Sequence, residues 1–391
     1  MTDVVEMKKQ NLLTLPSTIL FAAAVPFSQA GNWQEFPIFP ASDHQQAPDV
    51  YGSITVWHQF DSQYGDYDVY VADISKSGDP VILIIGDWSD QTNPAIYENT
   101  VAWQDYIVDS DSADWDIKMA DISEPTDPQF FVVSDIINND EQNPAIHGNI
   151  VVWQDGFSGD FDIYGADITD PENPREFPLA TLILNQQGPA IYRTTAIWQD
   201  DFYGDWDIFA ADIWQRNKPA EFSISVFEND QMAPAISGNI VVWQDDFFGD
   251  WDIYAADISR ADNPIEFAIT TNQSSQINPD IDGNIVVWQD YRNKNWDIFG
   301  YNITTQQEFQ ITDNPYDQTH PAISANLVVW QDNRSGKWNI YAVILDGPQV
   351  TQCTTAIIGD ANGDCKVNLT DFSLMASAWL ECNLDLEEAC W

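Results

Sequence analysis

One internal register, repeated seven times, constrains this chain more than any other feature. A tryptophan ends an apolar run and is followed by Gln-Asp at Trp103, Trp153, Trp198, Trp243, Trp288 and Trp330; the first unit varies this to Trp57-His58-Gln59. The spacings between successive markers, starting at Trp57, are 46, 50, 45, 45, 45 and 42 residues. A proline stands nine positions before each one, at Pro48, Pro94, Pro144, Pro189, Pro234, Pro279 and Pro321. A second aromatic follows eight to twelve positions later, at Tyr67, Trp115, Phe161, Trp206, Trp251, Trp296 and Trp338. Repeats of this length build solenoids, propellers or arrays, because one unit cannot bury its own apolar face.

The fifth unit shows how a repeat is spent. Pro234-Ala235-Ile236 reads as a short first strand, and Gly238-Asn239 as a tight turn. Asn239 to Asp245 is a second strand with a continuous apolar centre, as expected when both faces are covered. A Gly-containing turn, Asp246 to Asp250, leads into a third strand over Trp251 to Ile258, and Glu266 to Thr270 is the fourth. Four short strands per unit, seven times and without a helical period, predict an all-β fold, a seven-bladed β-propeller of four-stranded blades. The propeller is expected over 31–352, with repeats near 47–92, 93–142, 143–187, 188–232, 233–277, 278–319 and 320–352. The marker tryptophans are expected between blades, not on the surface. Glu35 to Phe39 looks like a fourth strand placed before the first unit, while the seventh unit offers only a weak candidate at Gln349 to Thr351. An N-terminal strand completing the last blade would close the ring and protect its edges.

The unit resembles the propeller repeat of TolB-like and WD40-like proteins: a Pro-containing start, an apolar strand and a Gly-containing turn lead into Asp207-Ile208-Phe209, Asp252-Ile253-Tyr254 and Asp297-Ile298-Phe299. The resemblance covers 35 to about 350. It departs in using Trp-Gln-Asp after the apolar strand and in lacking a Ser-Pro-Asp-Gly turn.

Charge narrows the partners. The chain carries 62 acidic and 14 basic residues, a formal net charge of −48, which argues against nucleic acid and anionic membrane surfaces. Lys8 and Lys9 precede an apolar run from Leu12 to Phe27, and Ser28-Gln29-Ala30 offers a cleavage site, so 1–30 reads as a signal peptide for export. That run is too short for a comfortable membrane span of ~20 residues, and none is expected elsewhere. All four cysteines, Cys353, Cys365, Cys382 and Cys390, lie in the last 39 residues. In a small exported module they read as two disulfides of open pairing; a zinc site is the alternative, with no C-x-x-C pair and no nearby histidine to favour it.

In a meander the loops joining strands two to three and four to one emerge on one face. The acidic turns therefore share a rim: Asp66 and Asp68, Asp114 and Asp116, Asp160 and Asp162, Asp205 and Asp207, Asp250 and Asp252. They read either as oxygen ligands for hard cations or as local satisfaction of backbone donors. Tyr64, Phe157, Phe202, Tyr203, Phe247, Phe248 and Tyr291 sit in the same turns, where rings stack on sugars or fold back as packing. Catalysis needs one constellation and not seven copies, so repeat-breaking residues matter. The histidines are His44, His58, His147 and His320, three of them near the junction of the first and seventh units.

The sharpest motif is Asp360 to Asp371, DANGDCKVNLTD. Positions 1, 3, 5, 9 and 12 of a twelve-residue calcium loop are Asp360, Asn362, Asp364, Asn368 and Asp371, with the Lys366 carbonyl at position 7. A following helix would stripe Phe372, Met375, Ala376 and Trp379 along one face. The segment, 353–391, is similar to one of the two loop-helix halves of a type I dockerin, with Cys365 in place of the glycine at position 6. That resemblance implies bound Ca2+ and attachment to a cohesin-like extracellular partner, often in polysaccharide breakdown. The sequence as a whole reads as a secreted or cell-surface, monomeric, non-catalytic binding or scaffold propeller carrying this attachment module. The alternative is a propeller-fold polysaccharide lyase or glycoside hydrolase.

Overall fold

A strand covered on both faces needs no polar alternation, and the second strand of every repeat, such as Ile240–Asp245, is buried along nearly its whole length. The computed structural model describes residues 33–345 except 76–80, 87–88, 109–112, 158 and 217. These residues form seven antiparallel four-stranded sheets and no helix. The first strands of neighbouring blades touch in order around the whole ring, the first against the seventh included, so they line a central channel. The architecture is a seven-bladed β-propeller.

The ring closes as the N-terminal strand led one to expect. Phe36–Pro37 joins the seventh blade as its outermost strand, with Phe36 opposite Ala342 and Pro37 opposite Tyr341. A proline is tolerated there because an edge strand leaves one row of donors unused. Ile38 N donates to the Ile340 carbonyl at 2.9 Å, and Arg334 pairs with Glu35 at 2.6 Å. Gln349–Thr351 lies outside the described residues, as do the leader 1–30 and the segment 353–391.

All seven marker tryptophans are at most 2% exposed. Trp243 packs with Ile197, Ile208 and Ala210 of the fourth blade, and Trp57 with Val329 and Ala342 of the seventh. The markers are thus the apolar filling between blades, each large ring excluding water from a seam.

The first strand begins earlier than its proline suggests, at Gln231 in the fifth blade, and bulges between Met232 and Ala235. The residue before each proline has positive φ: Ala47, Asn93, Asn143, Gly188, Ala233, Asn278 and His320, all between 48° and 59°. A pre-proline residue is ordinarily extended, and for Ala47 and Ala233 the left-handed region costs about 1–2 kcal/mol. A hydrogen bond from the N–H of each of these two alanines to a glutamine of the preceding blade supplies the compensation.

Candidate functional site

The bulge turns one backbone N–H of each blade out of its own ladder and toward the preceding blade. There it meets the Gln of Trp-Gln-Asp. Asn143 N donates to Gln104 Oε1, Gly188 N to Gln154, Ala233 N to Gln199, Asn278 N to Gln244, His320 N to Gln289 and Ala47 N to Gln331, at 2.7–3.3 Å. In the first blade His58 stands where the others have Gln, and its Nδ1 accepts from Asn93 N at 3.2 Å. Burial pushes the His58 pKa down to about 4, so the ring is neutral and can accept. Seven bonds of one kind therefore run around the channel. The Gln of the motif is a blade fastener, and His58 is the same fastener in another side chain.

The Asp of Trp-Gln-Asp caps the hairpin that follows it. Its Oδ1 accepts from the N–H two residues on, at Phe157, Phe202, Phe247, Arg292 and Arg334. The second Asp of each acidic turn lies opposite it across the ladder, as Asp200 and Asp207, or Asp245 and Asp252. The first Asp bonds the loop from strand four to strand one: Asp114 takes Asn139 N, Asp160 takes Leu184 N and Asp205 takes Asn229 N. The acids of the rim thus serve local backbone donors, with the hairpin role falling to the Trp-Gln-Asp carboxylate instead of the second Asp. Among the described residues no group of three acid, histidine or cysteine side chains is set to hold a metal ion.

The aromatics of these turns do not fold back. Tyr64, Phe157, Phe202, Tyr203, Phe247, Phe248 and Tyr291 are 40–67% exposed. Phe157, Phe202 and Phe247 occupy one equivalent position in three consecutive blades, and Phe202–Tyr203 and Phe247–Phe248 meet edge to face. Clefts open between blades on the same rim. One of 470 Å³ is lined by Tyr64, Asp66, Asp90, Tyr106 and Lys118, and one of 380 Å³ by Asp114, Asp140, Asp160, Phe161 and Asn185.

At the equivalent turn position blades six and seven carry Arg292 and Arg334. Arg292 reaches Asp290 at 2.5 Å and Glu308 at 2.6 Å; Arg334 bonds Asp332 and Glu35 in the same way. In the second blade Lys118 pairs with Asp105.

The repeat breaks most clearly at the channel. Asp49 and Asp280 replace the alanine of the other blades, and each accepts an N–H from the next blade, Ile96 at 2.8 Å and Ile323 at 2.7 Å. Burial and repulsion from Asp280 push Asp49 up to about 7, and burial with repulsion from Asp282 pushes Asp280 up to about 6. Two residues further on, the rings of Tyr51, Tyr97, His147 and Tyr192 meet in succession, tilted by 41–58° with centroids 4.3–4.7 Å apart. Blades five to seven carry Ser237, Asp282 and Ser324 there, bonding the turn amides of Gly283, Ala325 and Gly52.

The histidines thus divide among three places. His147 belongs to that aromatic arc, while His44 accepts from Trp338 N on the rim at the seam of blades seven and one. His58 and His320 share the fastening ring, His320 Nδ1 lying 3.4 Å from Gln331 Nε2. Among the described residues these histidines contact backbone amides, an amide side chain and aromatic rings. Sequence reasoning singled out His58 and His320 as repeat-breaking residues near one junction but not their fastening role; the signal was that His58 stands in register with six glutamines. The calcium-loop residues Asp360, Asn362, Asp364, Lys366, Asn368 and Asp371 lie outside the described residues.

No protein-family model matches the chain, and no curated protein matches it. Solved structures do. A puromycin-hydrolysing peptidase from Mycobacterium tuberculosis superposes with a TM-score of 0.59 at 13% identity, over 82% of this chain and 54% of that one. This chain therefore spans about half the length of that peptidase. The β-propeller domain of the Trilobed protease from Pyrococcus furiosus, described as having an open velcro topology, gives 0.57 at 11% identity over 78% and 96%. An oligogalacturonate lyase in complex with manganese gives 0.59 at 11% identity over 82% and 96%. The likeness is one of fold. Unlike the open topology named for the Pyrococcus domain, this ring is latched by its N-terminal strand.

Proposed function

We propose that the protein is a non-catalytic binding propeller of the cell exterior, whose acidic, aromatic rim takes a neutral polysaccharide. The observation that carries this reading is the exposed ring at one turn position in three consecutive blades, Phe157, Phe202 and Phe247, each beside carboxylates. Rings present faces for sugar stacking, and carboxylates accept from hydroxyls. The net charge of −48 disfavours polyanionic chains such as oligogalacturonate, the ligand class in the name of one structural neighbour. His44, His58 and His320 are engaged in backbone and amide contacts and His147 lies in the aromatic arc, which supports binding over histidine-based catalysis. In this reading the calcium loop at Asp360, Asn362, Asp364, Lys366, Asn368 and Asp371 attaches the propeller to a cohesin-like partner.

Affinity electrophoresis tests the rim. The mature protein should be retarded in gels containing neutral glucan, mannan or xylan, and not by polygalacturonate. A Phe157→Ala, Phe202→Ala, Phe247→Ala variant should run unretarded. Equal mobility of wild type in every gel, or retardation of the triple variant, would refute the rim as the binding surface. For the tail, calorimetry on the full chain should show calcium heat that Asp360→Ala abolishes.

A further inference from the structure

Blades five and six carry the same acidic residues at one place and differ in the turn residue beside them. In blade six the Arg292 guanidinium lies between Asp290 and Glu308 and 4.1 Å over the Phe299 ring. In blade seven Arg334 sits likewise between Asp332 and Glu35, 4.3 Å over Tyr341. Each place is built from the Asp of Trp-Gln-Asp, an aromatic on the third strand and a Glu on the fourth strand or, for Glu35, immediately before it. Blade five has the same three parts in the same register: Asp245, Tyr254 and Glu266. The residue equivalent to Arg292 is Phe247, half-exposed on the rim. Among the described residues no Lys or Arg pairs with Asp245, Asp252 or Glu266.

A second difference points the same way. In blade six Asp297 accepts from Asn293 and Asn295. Their equivalents in blade five are Phe248 and Asp250, neither of which can donate from its side chain at neutral pH. Asp252, opposite Asp245, is 2% exposed, and its Oδ1 has no hydrogen-bond partner. Desolvation, with repulsion from Asp250 and Asp245, pushes Asp252 up to about 7; desolvation and repulsion from Asp245, opposed by a hydrogen bond from Ser225, push Glu266 up to about 7. Asp245 and Asp252 are buried carboxylates with no counter-charge beside them among the described residues, and Glu266 at the exposed edge accepts from Ser225 Oγ at 3.4 Å. A planar donor fork relieves a buried carboxylate most directly.

We infer that the cleft of Asp245, Tyr254 and Glu266 binds an arginine side chain of a partner protein, in the position that Arg292 and Arg334 fill from within the chain in blades six and seven. The guanidinium lies against the Tyr254 ring, donates to Asp245 at the floor and to Glu266 at the outer edge. Blades three and four carry the same residue types, at Asp155 with Glu176 and Asp200 with Glu221. Phe247, one of the rim aromatics, occupies the turn position beside this site, which takes a different ligand from the stacking faces.

The test uses the full chain at pH 8, titrated with acetyl-arginine-amide and, as a neutral isostere, acetyl-citrulline-amide. Backbone amide resonances of Tyr254 and Glu266 report the cleft. They should move saturably with the arginine probe and stay still with citrulline. Phe247→Arg should fill the cleft from within, abolish that response and raise the urea midpoint. Glu266→Gln, which leaves the rim aromatics in place, should weaken binding about tenfold through loss of one charge-assisted bond and keep glycan binding. An equal response to citrulline would overturn the inference. So would a response that survives Phe247→Arg, or an affinity that Glu266→Gln leaves unchanged.

Discussion

Replacing Gln289 by Leu isolates the contribution of the fastening ring. Gln289 is 3% exposed, and its Oε1 accepts from His320 N at 2.9 Å and from Asn278 Nδ2 at 3.0 Å. Leucine nearly matches the volume, so little cavity forms and the change is one of hydrogen bonding. Stranding the His320 donor costs about 1–3 kcal/mol, and the half-buried Asn278 amide forfeits about 0.5–1.5 kcal/mol more. The sum, about 1.5–4.5 kcal/mol, is large against a typical stability of ~5–15 kcal/mol. Equilibrium urea unfolding followed by near-ultraviolet circular dichroism should show a clearly lower midpoint. Gln63→Leu, on the exposed rim, is the control and should leave it in place. A Gln289→Leu midpoint within the scatter of that control would show that the pre-proline amide is satisfied elsewhere, and the ring would lose its role in holding the blades.

Trp243→Ala should cost at least about 3–5 kcal/mol, because the ring fills the seam between blades four and five, and unchanged thermal unfolding would contradict that burial. Stability should rise as the pH falls from 8 to 5: Asp49, Asp116, Asp252 and Glu266 stand near 7 and Glu141 near 8 when folded, all above ordinary carboxylate values. The folded state then binds more protons than the unfolded chain across that window, so the gain is complete below the unfolded values and lost as pH rises through 7 to 8. A melting temperature lower at pH 5 than at pH 8, in matched salt, would reverse this. His58 runs the other way, its stabilisation fading as pH falls from about 6.5 to about 4, so His58→Gln should be near neutral at pH 8 and more stable than wild type at pH 5.

The blade count, the burial of the tryptophans and the latching strand at Glu35–Phe39 were all legible in the sequence, because each depends on apolar spacing that a linear register preserves. The left-handed residue before each proline was not. Ala47 and Ala233 give no local cue for positive φ, and only the neighbouring blade's Gln makes that conformation worthwhile. The same limit hid the fastening ring, since Gln244 and Asn278 belong to different repeats. Acids were visible but their division of labour was not: Asp245 and Asp250 look alike in a turn, yet one is buried and the other half-exposed. Phe247 and Arg292 share one position of the repeat, four residues after the marker tryptophan, but their side chains share no chemistry that would mark the equivalence.

The latch has a mechanical consequence. Phe36 faces Ala342 and Pro37 faces Tyr341, so the strand entering the ring and the strand leaving it are antiparallel and exit at the same end. Tension between the two ends of the propeller therefore loads the pairs one after another, as in opening a zip, instead of shearing them together. The grip is two paired residues long, backed by the Arg334–Glu35 ion pair and the buried Ile38. A propeller held at one end and pulled at the other would yield first at this seam, at low force, with the other six sheets still intact.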